Sequence, residues 1–152
     1  MNKTKFFCDK CGKEIDKKNA EMEWLNIDPN ITGGFKGLRI IHRSKDCRYS
    51  NQECIDKNAI SSSLPLEIIT KADGLMRLLR FISDDSFQDK ENVLEIIKRL
   101  FIPGYEKARL YLHEAIDHRV IEPGPDPKPN YCSQAQINDI LKYIDSKDST
   151  SI

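Results

Sequence analysis

No apolar stretch in this chain approaches the length of a membrane-spanning helix, and the opening Met1-Asn2-Lys3-Thr4-Lys5 lacks the apolar run of a secretory signal. Both absences point to a cytoplasmic protein with no membrane partner. An excess of one charge is missing too: 24 Lys+Arg stand against 24 Asp+Glu, a formal net charge of zero. Global charge therefore argues neither for nucleic acid nor for an anionic membrane. The five cysteines are odd in number, which fits reduced thiols better than a paired disulfide framework. Catalytic signatures are absent as well. The chain has no phosphate loop of the Gly-x4-Gly-Lys type, no dinucleotide fingerprint and no nucleophile elbow. No small-molecule substrate is evident, and the expectation is a non-enzyme.

What the chain does have is Phe7-Cys8-Asp9-Lys10-Cys11-Gly12. Two thiolates separated by two residues can share one tetrahedral ion, and the glycine allows a tight turn that aims amide N–H groups at the sulfurs. A thioredoxin-type redox pair has the same spacing but needs a helix after a βαβ strand, whereas this pair precedes a hairpin. A pair is only half a site. The remaining ligands must come from His42, Cys47, Cys54 and Cys132.

Hydrophobic alternation selects among them. Ala20 to Ile27 reads as a strand with Met22 and Trp24 on one face; Asp28-Pro29-Asn30 and Gly33-Gly34 are turn-formers; Gly37 to Arg43 reads as the returning strand. The tip of this hairpin lies near Asn30 to Gly34, so its open end brings the Cys8/Cys11 turn close to His42 and Cys47. In the second strand Leu38, Ile40 and His42 share one face, and Arg39, Ile41 and Arg43 the other. The predicted ligand set is Cys8, Cys11, His42 and Cys47, a Cys3His site for a structural Zn2+. A β module of roughly 60 residues buries little surface by itself, and zinc offsets that deficit.

These residues resemble the zinc-ribbon class, in which two knuckles at the base of a β-hairpin clamp one zinc ion. The resemblance covers roughly the first 50 residues and rests on Cys8-x-x-Cys11-Gly12. The second knuckle departs from the usual Cys-x-x-Cys and reads His42-x4-Cys47. That departure leaves Cys54, seven residues after Cys47, as the substitute ligand; its other reading is a small buried residue under the helix that follows.

Charge is uneven along the chain. Residues 1–60 hold 12 Lys+Arg against 9 Asp+Glu, a net of +3, and residues 61–152 hold 12 against 15, a net of −3. The basic excess lies mainly in Lys36, Arg39, Arg43, Lys45 and Arg48. If the chain contacts phosphates, Arg39, Arg43 and Arg48 are the expected ribbon contacts; the alternative is an ordinary solvated strand face.

Ser61-Ser62-Ser63 reads as a linker between a zinc-ribbon-like domain at 1–60 and a helical domain at 61–152, an α+β organisation overall. Apolar residues recur at helical spacing in Leu75, Leu78, Leu79 and Ile82, in Val93, Ile96, Ile97 and Leu100, and in Ile137, Ile140, Leu141 and Ile144. Asp89 is a good N-cap, and Ser133 with Gln136 forms a capping box. Gly104 to His118 reads as one further helix, burying Tyr105, Ala108, Leu112, Ala115 and Ile116 and exposing Glu106, Lys107, Leu110, Tyr111, His113, Glu114, Asp117 and His118.

Helix, tight Pro103-Gly104 turn and helix, completed by the helix around Leu75 to Ile82, resemble a helix-turn-helix; the run Pro123, Pro125, Pro127 and Pro129 stands where a winged helix has its wing. The resemblance implies Lys107 and Arg109 as DNA contacts. Glu106, Glu114 and Asp117 match those cations, so the face is not basic. His113 and His118 are five residues apart, about 140° around a helix, and cannot share a metal as a zinc-protease helix does. Cys132 reads as structural. Two functions survive: a zinc-binding, non-enzymatic regulator that contacts DNA, and an interaction module that binds a protein partner or its own copy through Leu110 and Tyr111.

Overall fold

A short antiparallel ribbon opens the fold. Strand β1 (Lys5–Phe7) pairs with β2 (Glu14–Asp16), with Phe6 opposite Ile15, and the tight turn Cys8–Lys13 joins them. The computed structural model describes residues 5–28, 30–122 and 130–149. Phe6 and Ile15 are buried while their neighbours Lys5, Glu14 and Asp16 face water, the period-two pattern of a half-buried ribbon.

The predicted hairpin follows: β3 (Ala20–Asn26) pairs antiparallel with β4 (Phe35–His42), with Met22 opposite Ile40 and Ala20 opposite His42. The register slips between Glu23 and Leu25, where Gly37 adopts a φ of +66. A side chain there would be strained by that backbone angle and would meet the Tyr49 hydroxyl at 2.5 Å, so the bulge requires glycine.

Ser61–Ser63, expected as a linker, instead lie inside β5 (Ile60–Pro65), which pairs with the other edge of β3 and makes the sheet order β4-β3-β5. Composition misleads here because serine is common in linkers, whereas a central strand must satisfy backbone donors and acceptors on both edges. The third strand also explains why β3 is buried almost throughout. Before β5, α1 (Asn51–Asp56) is opened by a capping box in which Ser50 and Glu53 exchange hydrogen bonds.

After β5 come α2 (Leu66–Ile69), α3 (Ala72–Ser83) and α4 (Lys90–Phe101). Asp89 caps α4 as expected, accepting from the amides of Glu91 and Asn92 at 3.1 and 3.4 Å. Leu78, Val93 and Ile96 pack with Phe6, Met22, Leu38 and Ile40 in one core. Leu79, expected in the apolar stripe of α3, is 46% exposed, because the buried face of α3 is narrow and centred on Gly74 and Leu78. Trp24, Phe35, Phe81 and Phe87 form an aromatic cluster with centroid spacings from 5.3 to 6.3 Å.

The chain divides into two compact units, Met1–Phe101 and Ile102–Ile152, so β5, α2, α3 and α4 fall in the same unit as the strands. In the second unit the expected continuous helix over 104–118 is interrupted. It consists of α5 (Tyr105–Ala108), a 3-10 turn at Arg109–Tyr111, and α6 (Leu112–Asp117). Glu106, expected at the surface, is buried and paired with Arg109 at 3.1 Å. A 3-10 turn brings residues three apart into line, which suits this pair. Helix α7 (Gln134–Ser149) begins at the predicted Ser133/Gln136 capping box and buries Ile137, Ile140 and Ile144 against Tyr105, Ala108, Leu112 and Ala115. The proline run expected as a wing lies outside the described residues. The result is an α+β chain with antiparallel strands up to Pro65, interrupted by α1, and the remaining helices after them.

Candidate metal centre

Cys8 and Cys11 occupy the turn between β1 and β2. Gly12, at φ +78, lets its amide return to the Cys8 carbonyl at 2.9 Å. The amides of Lys10 and Cys11 point at the Cys8 sulfur from 3.4 and 3.5 Å. Burial pushes the Cys8 thiol up, but hydrogen bonds from the backbones of Cys11, His42 and Lys10 and from the His42 side chain outweigh it and hold the thiol down at about 6. This sulfur is therefore suited to being a thiolate at neutral pH.

The other two donors arrive from the open end of the hairpin. His42 is the last residue of β4, and Cys47 follows in a turn whose amide donates to the Ser44 carbonyl at 3.2 Å. The His42 Nδ1 lies 3.4 Å from the Cys11 sulfur and 3.7 Å from the Cys47 sulfur. All four donor atoms, from Cys8, Cys11, His42 and Cys47, lie within 4.8 Å of one another, close enough to hold a metal ion. Cys8 and Cys47 are buried, His42 is half-buried and Cys11 is exposed, so the cluster reaches the surface on the Cys11 side. Burial raises the Cys47 thiol, with the neighbouring Cys8 and Cys11 sulfurs adding to the effect and Ser44 opposing it. Cys54, the alternative ligand, sits in α1 and is not part of the cluster. Cys132 belongs to the core of the second unit.

Two sets of charged residues that sequence reasoning missed fix the knuckles. Asp9, between the first two cysteines, accepts from the Ile40 amide at 2.8 Å and from Arg99 of α4 at 2.8 Å, while Arg99 also donates to the Phe7 carbonyl at 3.1 Å. The first knuckle is thereby tied to β4 two residues before His42. A signal existed for Arg99, since it falls on the buried side of α4 three residues after Ile96, where a charge requires a partner.

The second set lies on the opposite face of β3. Glu21 and Glu23 are 3% and 2% exposed. Glu23 accepts from Arg39 at 2.8 Å and from the Tyr49 amide at 3.1 Å, and Glu21 accepts from Arg48 at 2.5 Å. Arg39 also donates to the Cys47 carbonyl at 3.0 Å and stacks over the Tyr49 ring at 3.7 Å. Burial pushes the Glu23 carboxyl up, and Arg39 pulls against it. Arg39 and Arg48, expected as phosphate contacts, are thus engaged in holding the segment after Cys47 onto the sheet. The hairpin register, which sets Glu23 opposite Arg39, is the clue. Of the other expected contacts, Arg43 and Lys107 are exposed and Arg109 pairs with Glu106.

No protein-family model, curated protein or solved structure matches the chain. Among the described residues, no helix is long and apolar enough to cross a membrane.

Proposed function

We propose that this chain is a non-enzymatic, zinc-stapled module that associates with nucleic acid. The observation that carries the reading is the Cys8, Cys11, His42, Cys47 cluster. In a tetrahedral zinc site with Zn–S of about 2.3 Å and Zn–N of about 2.0 Å, sulfur and nitrogen stand about 3.5 Å apart. The two separations recorded here, 3.4 and 3.7 Å, bracket that value. Three thiolates and an imidazole are a soft donor set that favours zinc over magnesium or calcium. Four protein donors complete the coordination shell and leave no position for a substrate or a reactive water, the arrangement of a structural ion.

The nucleic-acid part draws on the surplus of cations in residues 1–60. Elemental analysis of protein purified without added metal should give about one zinc per chain, and a mixed-sequence DNA duplex at low salt should be bound. Metal-free protein with an intact N-terminal fold would refute the first half; absence of duplex binding would refute the second. A protein partner is the second reading, favoured by exposed apolar residues on the first unit, among them Ile55, Ile60, Ile68 and Met76. The interruption of residues 105–117 and the pairing of Arg109 do not favour a DNA-reading helix there.

A further inference from the structure

Six cations, Lys10, Lys13, Lys17, Lys18, Arg43 and Lys45, are exposed in the segments that carry and adjoin the four donors. The backbone gathers them. Lys10 and Lys13 belong to the first knuckle, whose ends are joined by the Cys8 amide on the Lys13 carbonyl at 2.9 Å. Lys17 and Lys18 form the 3-10 turn leading into β3, and the Arg43 amide donates to the Asn19 carbonyl at 2.9 Å, so Lys18 and Arg43 flank one hydrogen bond. Lys45 lies in the turn between His42 and Cys47.

None of the six forms an ion pair among the described residues, whereas Arg39, Arg48 and Arg99 are each held by a carboxylate. Exposed Asp9 and Glu14 are matched by Arg99 and Lys5; Asp16, Asp46, Glu53 at the start of α1 and the single net negative charge of a tri-thiolate zinc site oppose the six, so a surplus of two positive charges remains. Glu53 is itself turned to the Ser50 amide at 3.2 Å.

We infer that this exposed end around the metal centre is the surface that contacts the phosphate backbone of nucleic acid, with Lys17, Lys18 and Arg43 as its principal residues. The inference rests on the nucleic-acid reading above and replaces Arg39, Arg48, Lys107 and Arg109 as the contacts. Unpaired, solvated cations can neutralise phosphates and release counterions; an arginine already bonded to a buried carboxylate would have to abandon it first. Lys17, Lys18 and Arg43 adjoin the two segments that carry the four donors, so loss of the metal from that cluster should weaken phosphate binding as well. Contacts of this kind are independent of base sequence.

The test is fluorescence anisotropy with a short mixed-sequence duplex, titrated over a range of salt concentrations. Lys17→Ala/Lys18→Ala/Arg43→Ala should flatten the dependence of log affinity on log salt by about three units, one per lost phosphate contact. Lys71→Ala/Lys142→Ala, both exposed positions elsewhere, should leave the slope unchanged. Zinc content and melting temperature of each variant establish that the fold is kept. Chelating the metal from the wild-type chain should weaken binding as well. A triple variant that keeps its zinc and binds with the original slope overturns the inference and leaves the nucleic-acid reading standing. Wild-type protein that fails to bind at low salt overturns both, as does retention only on vesicles of phosphatidylserine and phosphatidylcholine.

Discussion

Asp9 and Arg99, ninety residues apart in the chain, meet in a 2.8 Å ion pair behind the first knuckle. The Arg99 side chain is almost completely buried, and it reaches the turn between Cys8 and Cys11 through Asp9, whose carboxylate also holds the Ile40 amide. One helix thus steadies both halves of the candidate metal centre.

Arg99→Leu removes the guanidinium that bonds Asp9 and the Phe7 carbonyl, and because Asp9 itself remains in contact with water the loss should be on the order of 2 kcal/mol. Denaturant unfolding measures the loss, and competition with a chelator should show weaker zinc binding. Asp9→Asn keeps an oxygen for the Ile40 amide but removes the negative charge facing the buried Arg99 guanidinium, so it should cost at least as much. Equal stability of Arg99→Leu and wild type would mean that the pair holds nothing in place.

Arg39→Ala should be far more damaging than Arg43→Ala. The first leaves Glu23 buried and unpaired, at a cost of about 3 kcal/mol; the second removes an exposed side chain, with an effect within about 0.5 kcal/mol. Thermal melting distinguishes them. Similar melting temperatures would argue that Arg39 is a surface residue after all.

Cys8→Ser or Cys11→Ser should abolish stoichiometric zinc and unfold the strands around the site. His42→Ala should lower zinc affinity more than Cys54→Ser does. The reverse order would move the fourth ligand to Cys54.

Acid should release the metal, because protons compete with it for the thiolates. The sign follows from the two buried thiols. Cys47 is raised, so at neutral pH the metal must displace its proton; Cys8, held at about 6, needs no such displacement until the pH falls through that value. Zinc affinity should therefore decline as pH falls, and the decline should steepen below about pH 6. Chelator competition across this range reads the effect, and a flat profile would exclude thiolate ligation.

A chain ending at Phe101 should keep one zinc and melt cooperatively, since it retains β1 to β5 and the core residues Phe6, Met22, Ile40, Leu78, Val93 and Ile96 together. A chain beginning at Ser62 loses β3, the partner of β5, and exposes the apolar faces of α3 and α4. Calorimetry should show a broad or missing transition for it. A sharp, helix-rich transition would put the folding boundary at the serine run instead.

The cluster of four possible donors was legible because it depends on local rules. Cys-x-x-Cys-Gly makes a knuckle by itself, and a hairpin tip between two alternating strands fixes which residues lie at its open end; Ala20 opposite His42 is a consequence of that tip. Caps at Asp89 and Ser133 were legible for the same reason, since each involves only the next few residues. What only the tertiary structure decided are the pairings between distant segments. Ser61–Ser63 became a strand because the free edge of β3 needed backbone partners. Arg39, Arg48 and Arg109 became structural because buried carboxylates had to be neutralised where they lay. A charged residue looks the same in sequence whether it faces water or a buried acid; the packing around it determines which.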